Sequence, residues 1–127
     1  MHIIRFLDPH GREHYGQRID DHSAKVIEGD ILGSSSVTSE TAVVAKLLAP
    51  IVPRAILCIG LNYRKHAEET GSKIPEFPVL FMKGPGALQN PGDPIVLPRI
   101  EPEDVDYECE LALVIGKKAK DVSREDA

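Results

Sequence analysis

The chain has 127 residues, 42% of them hydrophobic, and its 15 Lys and Arg against 20 Asp and Glu give a formal net charge of −5. This composition fits a small globular protein and excludes an intrinsically disordered chain. Without a cluster of basic residues, an acidic chain is a poor nucleic-acid binder. No apolar run approaches the ~20 residues of a membrane-spanning helix, and the N-terminus lacks a signal-peptide pattern. We therefore expect a cytoplasmic protein with neither nucleic-acid nor membrane partners.

Residues 1–50 are expected to form a small β-rich domain. Residues 2–7 favour a short strand, and the turn signal Asp8-Pro9-His10-Gly11 that follows predicts a hairpin. Sparse apolar residues and recurring Gly-Asp pairs over residues 16–33 favour weak strands and turns. The apolar spacing of residues 42–48 predicts one short helix ended by the prolines that follow it. A domain boundary is placed after this segment.

The second part of the chain begins with a continuously apolar run at residues 55–60, which is typical of a strand buried on both faces. Asn62 is then expected to cap a helix over residues 63–70, with Gly71 in the left-handed conformation at its end. Seven of the ten prolines lie between positions 75 and 102, so this region is expected to form extended strands and ordered loops. Its apolar runs lie at residues 79–82 and 95–97.

Residues 105–116 are predicted to form one long strand. Ser123 is followed three residues later by Asp126, a spacing typical of a helix start. Because the chain stops there, we expect it to be a fragment of a longer protein. Cys58 and Cys109 both lie in apolar runs and are expected to be free buried thiols.

Two carboxylates could bind a metal ion. A strand points residues i and i+2 to the same face, so Glu108 and Glu110 are expected to lie side by side. Ligation by oxygen alone favours Mg²⁺, Mn²⁺ or Ca²⁺ over Zn²⁺. The alternative is a solvent-facing acidic stripe on an edge strand.

A possible base and its orienting group lie on the predicted helix. His66 and Glu69 share a helix face at a spacing of i and i+3, and a carboxylate on one imidazole nitrogen supports general-base chemistry. The alternative is a solvated histidine beside an ordinary surface ion pair of Lys65 with Glu69. The four other histidines show no metal-ligand spacing.

The joint between strand and helix at Gly60–Tyr63 favours an anionic ligand, because backbone N–H groups are free at a helix N-terminus. Lys83 lies at another predicted strand end and could supply a positive charge to the same ligand. The alternative is a surface lysine that only flanks a strand. Tyr63 and Lys83 are therefore candidate substrate contacts.

Three segments together resemble the fumarylacetoacetate hydrolase family. They are Ile59-Gly60-Leu61-Asn62-Tyr63-Arg64-Lys65-His66-Ala67-Glu68-Glu69, Pro78-Val79-Leu80-Phe81-Met82-Lys83, and Val105-Asp106-Tyr107-Glu108-Cys109-Glu110-Leu111-Ala112-Leu113-Val114-Ile115-Gly116-Lys117. The resemblance implies an α+β, mostly β chain: a partial mixed β-roll at residues 54–127, preceded by the small domain at 1–50. It also implies a homodimer.

The resemblance further implies roles for the candidate residues. Glu108 and Glu110 match the family's two glutamate ligands for Mg²⁺ (or Mn²⁺ or Ca²⁺). His66 matches the histidine that activates water, and Glu69 matches its glutamate partner. Lys83 matches a lysine that we carry over as a candidate ligand contact. The family's third metal ligand, an aspartate, comes from a segment downstream of residue 127, so we expect little activity from this chain by itself.

The implied activity is metal-dependent hydrolysis of a carbon–carbon bond in an acylpyruvate-like or fumarylacetoacetate-like 2-oxo acid. A metal-stabilised enolate would leave when water activated by histidine attacks the distal carbonyl. Two alternatives use the same metal site: isomerisation of a 2-hydroxyhepta-2,4-dienedioate type of substrate, and decarboxylation of oxaloacetate. An alternative of another class is an inactive fragment that serves as an interaction or dimerisation surface.

Overall fold

A computed structural model describes residues 1–126. These residues contain seven strands, one α-helix and two 3-10 helices. The strands are β1 (Ile3–Leu7), β2 (Glu13–Arg18), β3 (Ser23–Gly29), β4 (Ser35–Val43), β5 (Lys46–Leu48), β6 (Ile56–Gly60) and β7 (Val79–Lys83); the helices are α1 (Arg64–Glu69) and the 3-10 turns Pro85–Ala87 and Pro102–Asp104. None of the helices in this range has the length and apolarity needed to cross a membrane.

The first five strands form one antiparallel sheet in the order β4-β3-β2-β1-β5. The hairpin between β1 and β2 closes at the predicted turn, where the Asp8 N–H donates to the carbonyl of Arg12 at 2.9 Å. Gly11 has a φ of +77° there, a conformation that glycine adopts without strain. The predicted strand and hairpin at the N-terminus are confirmed.

The core of this sheet depends on alternation along β1, where Ile4 and Phe6 are buried between partly exposed neighbours. Phe6 and Ala24 are both 0% exposed. Gly16 lets them meet across β2, because a Cβ at this position would lie 2.8 Å from the Ala24 Cβ and 3.0 Å from the Phe6 ring. One small aliphatic cluster around a single aromatic ring therefore holds the sheet together.

The predicted helix at residues 42–48 is wrong. These residues end β4 at Val43 and form β5, in which Leu47 lies opposite Phe6. Ala42, Val44 and Leu47 pack against the cluster formed by Ile4, Phe6 and Ala24. Short apolar runs suit a helix or a strand equally well, and ladder pairing with core packing outweighs the helical spacing here.

The remaining two strands, β6 and β7, form a separate antiparallel pair in which Ile56 lies opposite Lys83 and Gly60 opposite Val79. Both strands were predicted, and both are confirmed. The expected burial of β6 on both faces is wrong, since Leu57 is 62% exposed. Burial on both faces needs a packed layer on each side of the sheet, and within residues 1–126 this pair has no such layer over Leu57.

Beyond β7 the described chain is mostly irregular. The predicted strands at residues 95–97 and 105–116 are wrong for this structure, because no ladder within residues 1–126 includes either segment. An extended segment becomes a strand only when a neighbour pairs with its backbone groups. The Asp126 N–H donates to the Ser123 Oγ at 3.3 Å, but no helix begins at Ser123 within residues 1–126, so the predicted helix start is not seen there. Ala127 lies outside the described residues.

The two cysteines are free, as predicted, but they are not both buried. Cys58 is partly buried in β6, whereas Cys109 is exposed. The predicted burial of Cys109 assumed a packed strand at residues 105–116. It is wrong because no ladder within residues 1–126 includes that segment.

The predicted mostly β fold is confirmed by these two sheets. The division into two domains after residue 50 stays a prediction.

Candidate functional site

The candidate site is built around helix α1, which follows β6 after a short turn. Leu61 has a φ of +50° in this turn. Tyr63, not Asn62, occupies the N-cap position, with φ −106° and ψ 121° and no side-chain capping bond. The predicted cap at Asn62 is wrong because the first helical residue is Arg64, which places Asn62 one position too early to accept from the first turn.

The C-terminal end of α1 follows the prediction. Gly71 has a φ of +63°, and its N–H donates to the Glu68 carbonyl at 3.1 Å. The Ser72 N–H donates to the Ala67 carbonyl at 2.8 Å. This pair of bonds is a Schellman motif, which satisfies the last carbonyls of a helix. Glycine is favoured at position 71 because the motif needs a left-handed residue there.

His66 and Glu69 both lie on α1 with exposed side chains, while Ala67 between them is buried. The helix thus presents both groups to solvent from one turn. Within residues 1–126 no hydrogen bond or ion pair joins the imidazole to the carboxylate, so their pairing stays a prediction.

Glu108 and Glu110 are exposed, and neither carboxylate has a hydrogen-bond or ion-pair partner within residues 1–126. The argument that a strand sets them on one face does not hold here, because their segment is not a strand. The described chain contains no group of three or more His, Cys, Asp and Glu residues placed to hold a metal ion. The chemical type of these two donor groups suits Mg²⁺, because proteins usually bind this ion through one or two carboxylates together with water and substrate oxygens.

Tyr63 connects α1 to the segment that carries these carboxylates. Its phenol oxygen accepts a hydrogen bond from the N–H of Leu111 at 3.3 Å, across 48 positions of sequence. Leu111 directly follows Glu110, so this contact brings the segment of the metal-ligand candidates to the N-terminus of the helix that carries His66 and Glu69.

Lys83 ends β7 with an exposed side chain, and its Nζ lies 5.9 Å from the centroid of the Phe81 ring. A cation over an aromatic face is weakly held at an exposed site. Within residues 1–126 no carboxylate pairs with this ammonium, which agrees both with a substrate contact and with a plain surface lysine.

An open cleft of about 330 Å³ lies beside the start of α1. It is lined by the end of β6 and its turn on one side, and by the loop at residues 74–78 on the other. Phe77 in this loop is 75% exposed. No motif in the sequence indicates that this loop lines a cleft, because its contribution depends on the pairing of β6 with β7.

Residues 55–127 match the family model described as "Fumarylacetoacetate (FAA) hydrolase C-terminal". The chain belongs to the fumarylacetoacetate hydrolase family. All three segments that carry the resemblance fall within the matched range, so the predicted family membership is confirmed.

Curated relatives match part of this fumarylacetoacetate hydrolase family chain. The Fumarylacetoacetate hydrolase domain-containing protein 2 homolog of Dictyostelium discoideum is 51% identical over 82 residues, which covers 65% of this chain and 27% of the relative. Oxaloacetate tautomerase fahd2, mitochondrial, of Xenopus laevis is 48% identical over 82 residues, covering 64% of this chain and 25% of the relative. The chain thus spans about a quarter of the length of these relatives.

Two solved structures are similar in fold. Cg1458 aligns with a TM-score of 0.57 and 29% identity, over 78% of this chain and 38% of that one. An uncharacterized protein from Mycobacterium abscessus aligns with a TM-score of 0.50 and 32% identity, over 67% of this chain and 34% of that one. These similarities support the fold assignment.

Proposed function

We propose that this chain carries part of a divalent-cation-dependent site that enolises a 2-oxo acid, and that its reaction is the keto–enol tautomerisation of oxaloacetate. The observation that carries the proposal is the Tyr63–Leu111 hydrogen bond, which brings a helix with an imidazole close to a segment with two carboxylates. The choice of substrate is supported by relatives named oxaloacetate tautomerase in Xenopus laevis, Rattus norvegicus and Bos taurus.

Glu108 and Glu110 would hold the metal ion. Their carboxylate oxygens are hard donors, and both are exposed and without protein partners within residues 1–126. When bound, a divalent ion supplies Lewis-acid chemistry by drawing electron density from the oxygens of a 2-oxo acid. Without it, two adjacent carboxylates would repel the anionic substrate, so the ion also makes binding of the substrate possible.

His66 would move the proton. Tautomerisation removes a proton from the carbon next to the 2-oxo group and adds a proton to the oxygen of that group. A single base can therefore serve both steps, because the proton that it takes from carbon equals the proton that it returns to oxygen. Imidazole is the side chain best suited to this exchange near neutral pH. Glu69 would orient the ring by accepting a hydrogen bond from one of its nitrogens, a contact that would form when the ligand is bound.

Lys83 would contribute charge to the second carboxylate of oxaloacetate. Its ammonium group is carried at the end of β7, lies 5.9 Å from the centroid of the Phe81 ring, and has no carboxylate partner within residues 1–126. A dicarboxylate would gain more from this cation than a monocarboxylate would. Lys83 is therefore proposed as a specificity contact.

A second candidate is hydrolysis of a carbon–carbon bond in an acylpyruvate, which the name of the fumarylacetoacetate hydrolase family favours. Here His66 would take a proton from water, and the resulting hydroxide would attack the distal carbonyl. The electrons of the broken bond would remain with the 2-oxo acid fragment, which leaves as an enolate and is then protonated. The products would be a carboxylic acid and pyruvate.

The two candidates differ in their products. The chain would be incubated with Mg²⁺ and either oxaloacetate or acetylpyruvate, and followed by NMR for exchange of the C3 protons, loss of CO₂ and release of acetate. Faster enolisation of oxaloacetate without acetate from acetylpyruvate supports tautomerisation, whereas acetate release supports the hydrolase. Dominant loss of CO₂ would contradict both and favour decarboxylation.

Matched variants separate catalysis by His66 from background enolisation. Because little activity is expected from this chain by itself, rates are compared after the protein-free rate is subtracted. His66→Ala is expected to lower the protein-dependent rate by up to about 10²–10⁴-fold, the range typical of a positioned acid–base group. His22→Ala, which removes an exposed imidazole from the turn before β3, is the control. Equal rates for the chain and His66→Ala would contradict the role of His66.

A further inference from the structure

The loop after β7 is tied to the edge strand of the first sheet by polar side chains. The Asn90 Oδ1 accepts a hydrogen bond from the Ala49 N–H at 3.0 Å, and the Lys46 Nζ lies 2.8 Å from the Asp93 Oδ2. The Asn90 amide also donates to the Asp93 Oδ2 at 3.1 Å. Asn90 and Asp93 are therefore bonded to each other and together contact Lys46 in β5 and Ala49, the residue after β5. We call these four residues the loop latch.

The latch continues into the interior of the first sheet. Ala49 is 2% exposed, and its carbonyl accepts from the Arg5 Nη1 at 3.2 Å. Arg5 in turn makes two bonds to the Glu13 carboxylate, at 2.7 and 2.8 Å. Both backbone groups of Ala49 are thus satisfied by side chains distant in sequence. A buried N–H that loses its partner is costly, so the Asn90 bond is the part of the latch that the fold depends on.

The ion pair between Lys46 and Asp93 is the weaker contact of the loop latch. The Lys46 side chain is 45% exposed and that of Asp93 27% exposed. Pairs at this exposure are screened by salt and contribute little on their own. Lys46 can nonetheless orient Asp93, which then holds the Asn90 amide, because one carboxylate oxygen serves both donors.

We propose that Asn90 and Asp93 are positioning residues, which fix the end of β7 against the first sheet and so restrict where Lys83 can point. The segment that joins Lys83 to Asn90 is short and contains a turn, so it has little conformational freedom. A 3-10 turn at Pro85–Ala87 lies on the path, closed by the Ala87 N–H donating to the Gly84 carbonyl at 2.9 Å and the Leu88 N–H donating to the Pro85 carbonyl at 3.1 Å. Loss of the latch at Asn90 would therefore loosen the segment as far back as Lys83. The contact itself exists whatever reaction the chain performs, whereas the value of placing Lys83 rests on the proposed function.

The latch is tested by amide hydrogen exchange of the whole chain, followed by NMR. Asn90→Ala is expected to speed exchange of the Ala49 amide at least tenfold and to speed exchange of Lys83 as well. Asn90→Asp/Asp93→Asn keeps an acceptor oxygen at position 90 and a donor at position 93 without placing two carboxylates together, and is expected to preserve protection of Ala49. Unchanged exchange at Ala49, or unchanged exchange at Lys83, in a folded Asn90→Ala variant would overturn the proposal.

A second variant covers the case in which Asn90→Ala does not fold. Lys46→Met keeps the aliphatic stem and removes the charge. Because the Asp93 N–H donates to the Asn90 carbonyl at 3.1 Å, its exchange reports the order of the loop. We expect Lys46→Met to raise that exchange severalfold, as should high salt in the parent chain, while Lys118→Met on the exposed C-terminal segment leaves it unchanged. No change at Asp93 in Lys46→Met would overturn the proposal.

Discussion

The phenol oxygen of Tyr63 accepts a hydrogen bond from the backbone N–H of Leu111 at 3.3 Å. The two residues are 48 positions apart, and each stands next to groups of the candidate site. Tyr63 occupies the N-cap position of helix α1, which carries His66, and Leu111 follows Glu110. This single bond therefore links the proposed base and the proposed metal ligands, although the contact lies at the surface of the described chain.

Tyr63→Phe should release the Leu111 segment. Because the bond is exposed, its loss should change the free energy of unfolding by less than about 1 kcal/mol while speeding exchange of the Leu111 amide. Tyr107→Phe is the matched control, since Tyr107 lies in the same segment with its side chain 94% exposed. Equal exchange at Leu111 in Tyr63→Phe and in the parent chain, measured by NMR, would show that the bond does not persist in solution.

Truncation of Phe6 should remove the centre of the first sheet's core. Phe6 is 0% exposed, so Phe6→Ala should lower the free energy of unfolding by about 3–5 kcal/mol, through lost burial and the cavity left behind. Phe77→Ala, at 75% exposure, should lower it by far less. Urea unfolding curves of the two variants provide the comparison, and similar losses in both would contradict the assignment of the core.

Gly16→Ala should destabilise the sheet for a different reason. The added Cβ would lie 2.9 Å from the Lys25 carbonyl oxygen, which belongs to the backbone and cannot move alone. Overpacking of this kind costs about 1–3 kcal/mol. Gly84→Ala is the control, because nothing lies within 4 Å of a Cβ built there. If thermal unfolding shows both variants to be equally stable, the close approach of β2 to Phe6 is not present.

The stability of the chain should decrease in acid, in part through Asp8. Burial raises the pKa of this carboxyl, but the backbone N–H groups of Arg12 and His10 and the side chains of Arg12 and His14 outweigh burial and hold the pKa well below its usual range. A group whose pKa is lower in the folded state stabilises the fold above its unfolded pKa of about 4, and this contribution is lost as the pH falls toward the folded value.

Asp8→Asn should therefore weaken the dependence of the melting temperature on pH below about pH 4, while it lowers the melting temperature near neutral pH. Glu125→Gln removes an exposed carboxylate from the C-terminal segment and serves as the control. Melting curves of Asp8→Asn, Glu125→Gln and the parent chain, measured from acidic to neutral pH, test this prediction. If Asp8→Asn and the parent chain lose the same number of degrees on acidification, Asp8 is not a source of the pH dependence.

Local signals in the sequence predicted the local features of the fold. The turn at Asp8 and the left-handed Gly71 each depend on residues within a few positions, and both are confirmed. Pairing between distant segments was harder to predict. Residues 42–48 became parts of strands because β1 and β3 pair with them, and residues 105–116 did not become a strand because no ladder within residues 1–126 includes them.

In the candidate site, too, local features could be predicted from the sequence and contacts between distant segments could not. Its residue types and the family could be identified from motifs, and the family assignment is confirmed by the match over residues 55–127. The contact of Tyr63 with Leu111, the cleft beside α1 and the bond from Asn90 to Ala49 arise from tertiary packing. No spacing rule predicts them, since each joins segments whose separation in sequence is unrelated to any helix or strand period.

Calorimetric titration of Mn²⁺ into the chain, with and without oxalate as a mimic of the enolate, tests the proposed metal site most directly. The Glu108→Ala/Glu110→Ala double variant removes the proposed ligands, and Glu101→Ala/Glu103→Ala removes the same charge from the same acidic stretch as a control. The account predicts binding that oxalate strengthens, that the control retains and that the first variant loses. Equal binding by the parent chain and the Glu108→Ala/Glu110→Ala variant would contradict it.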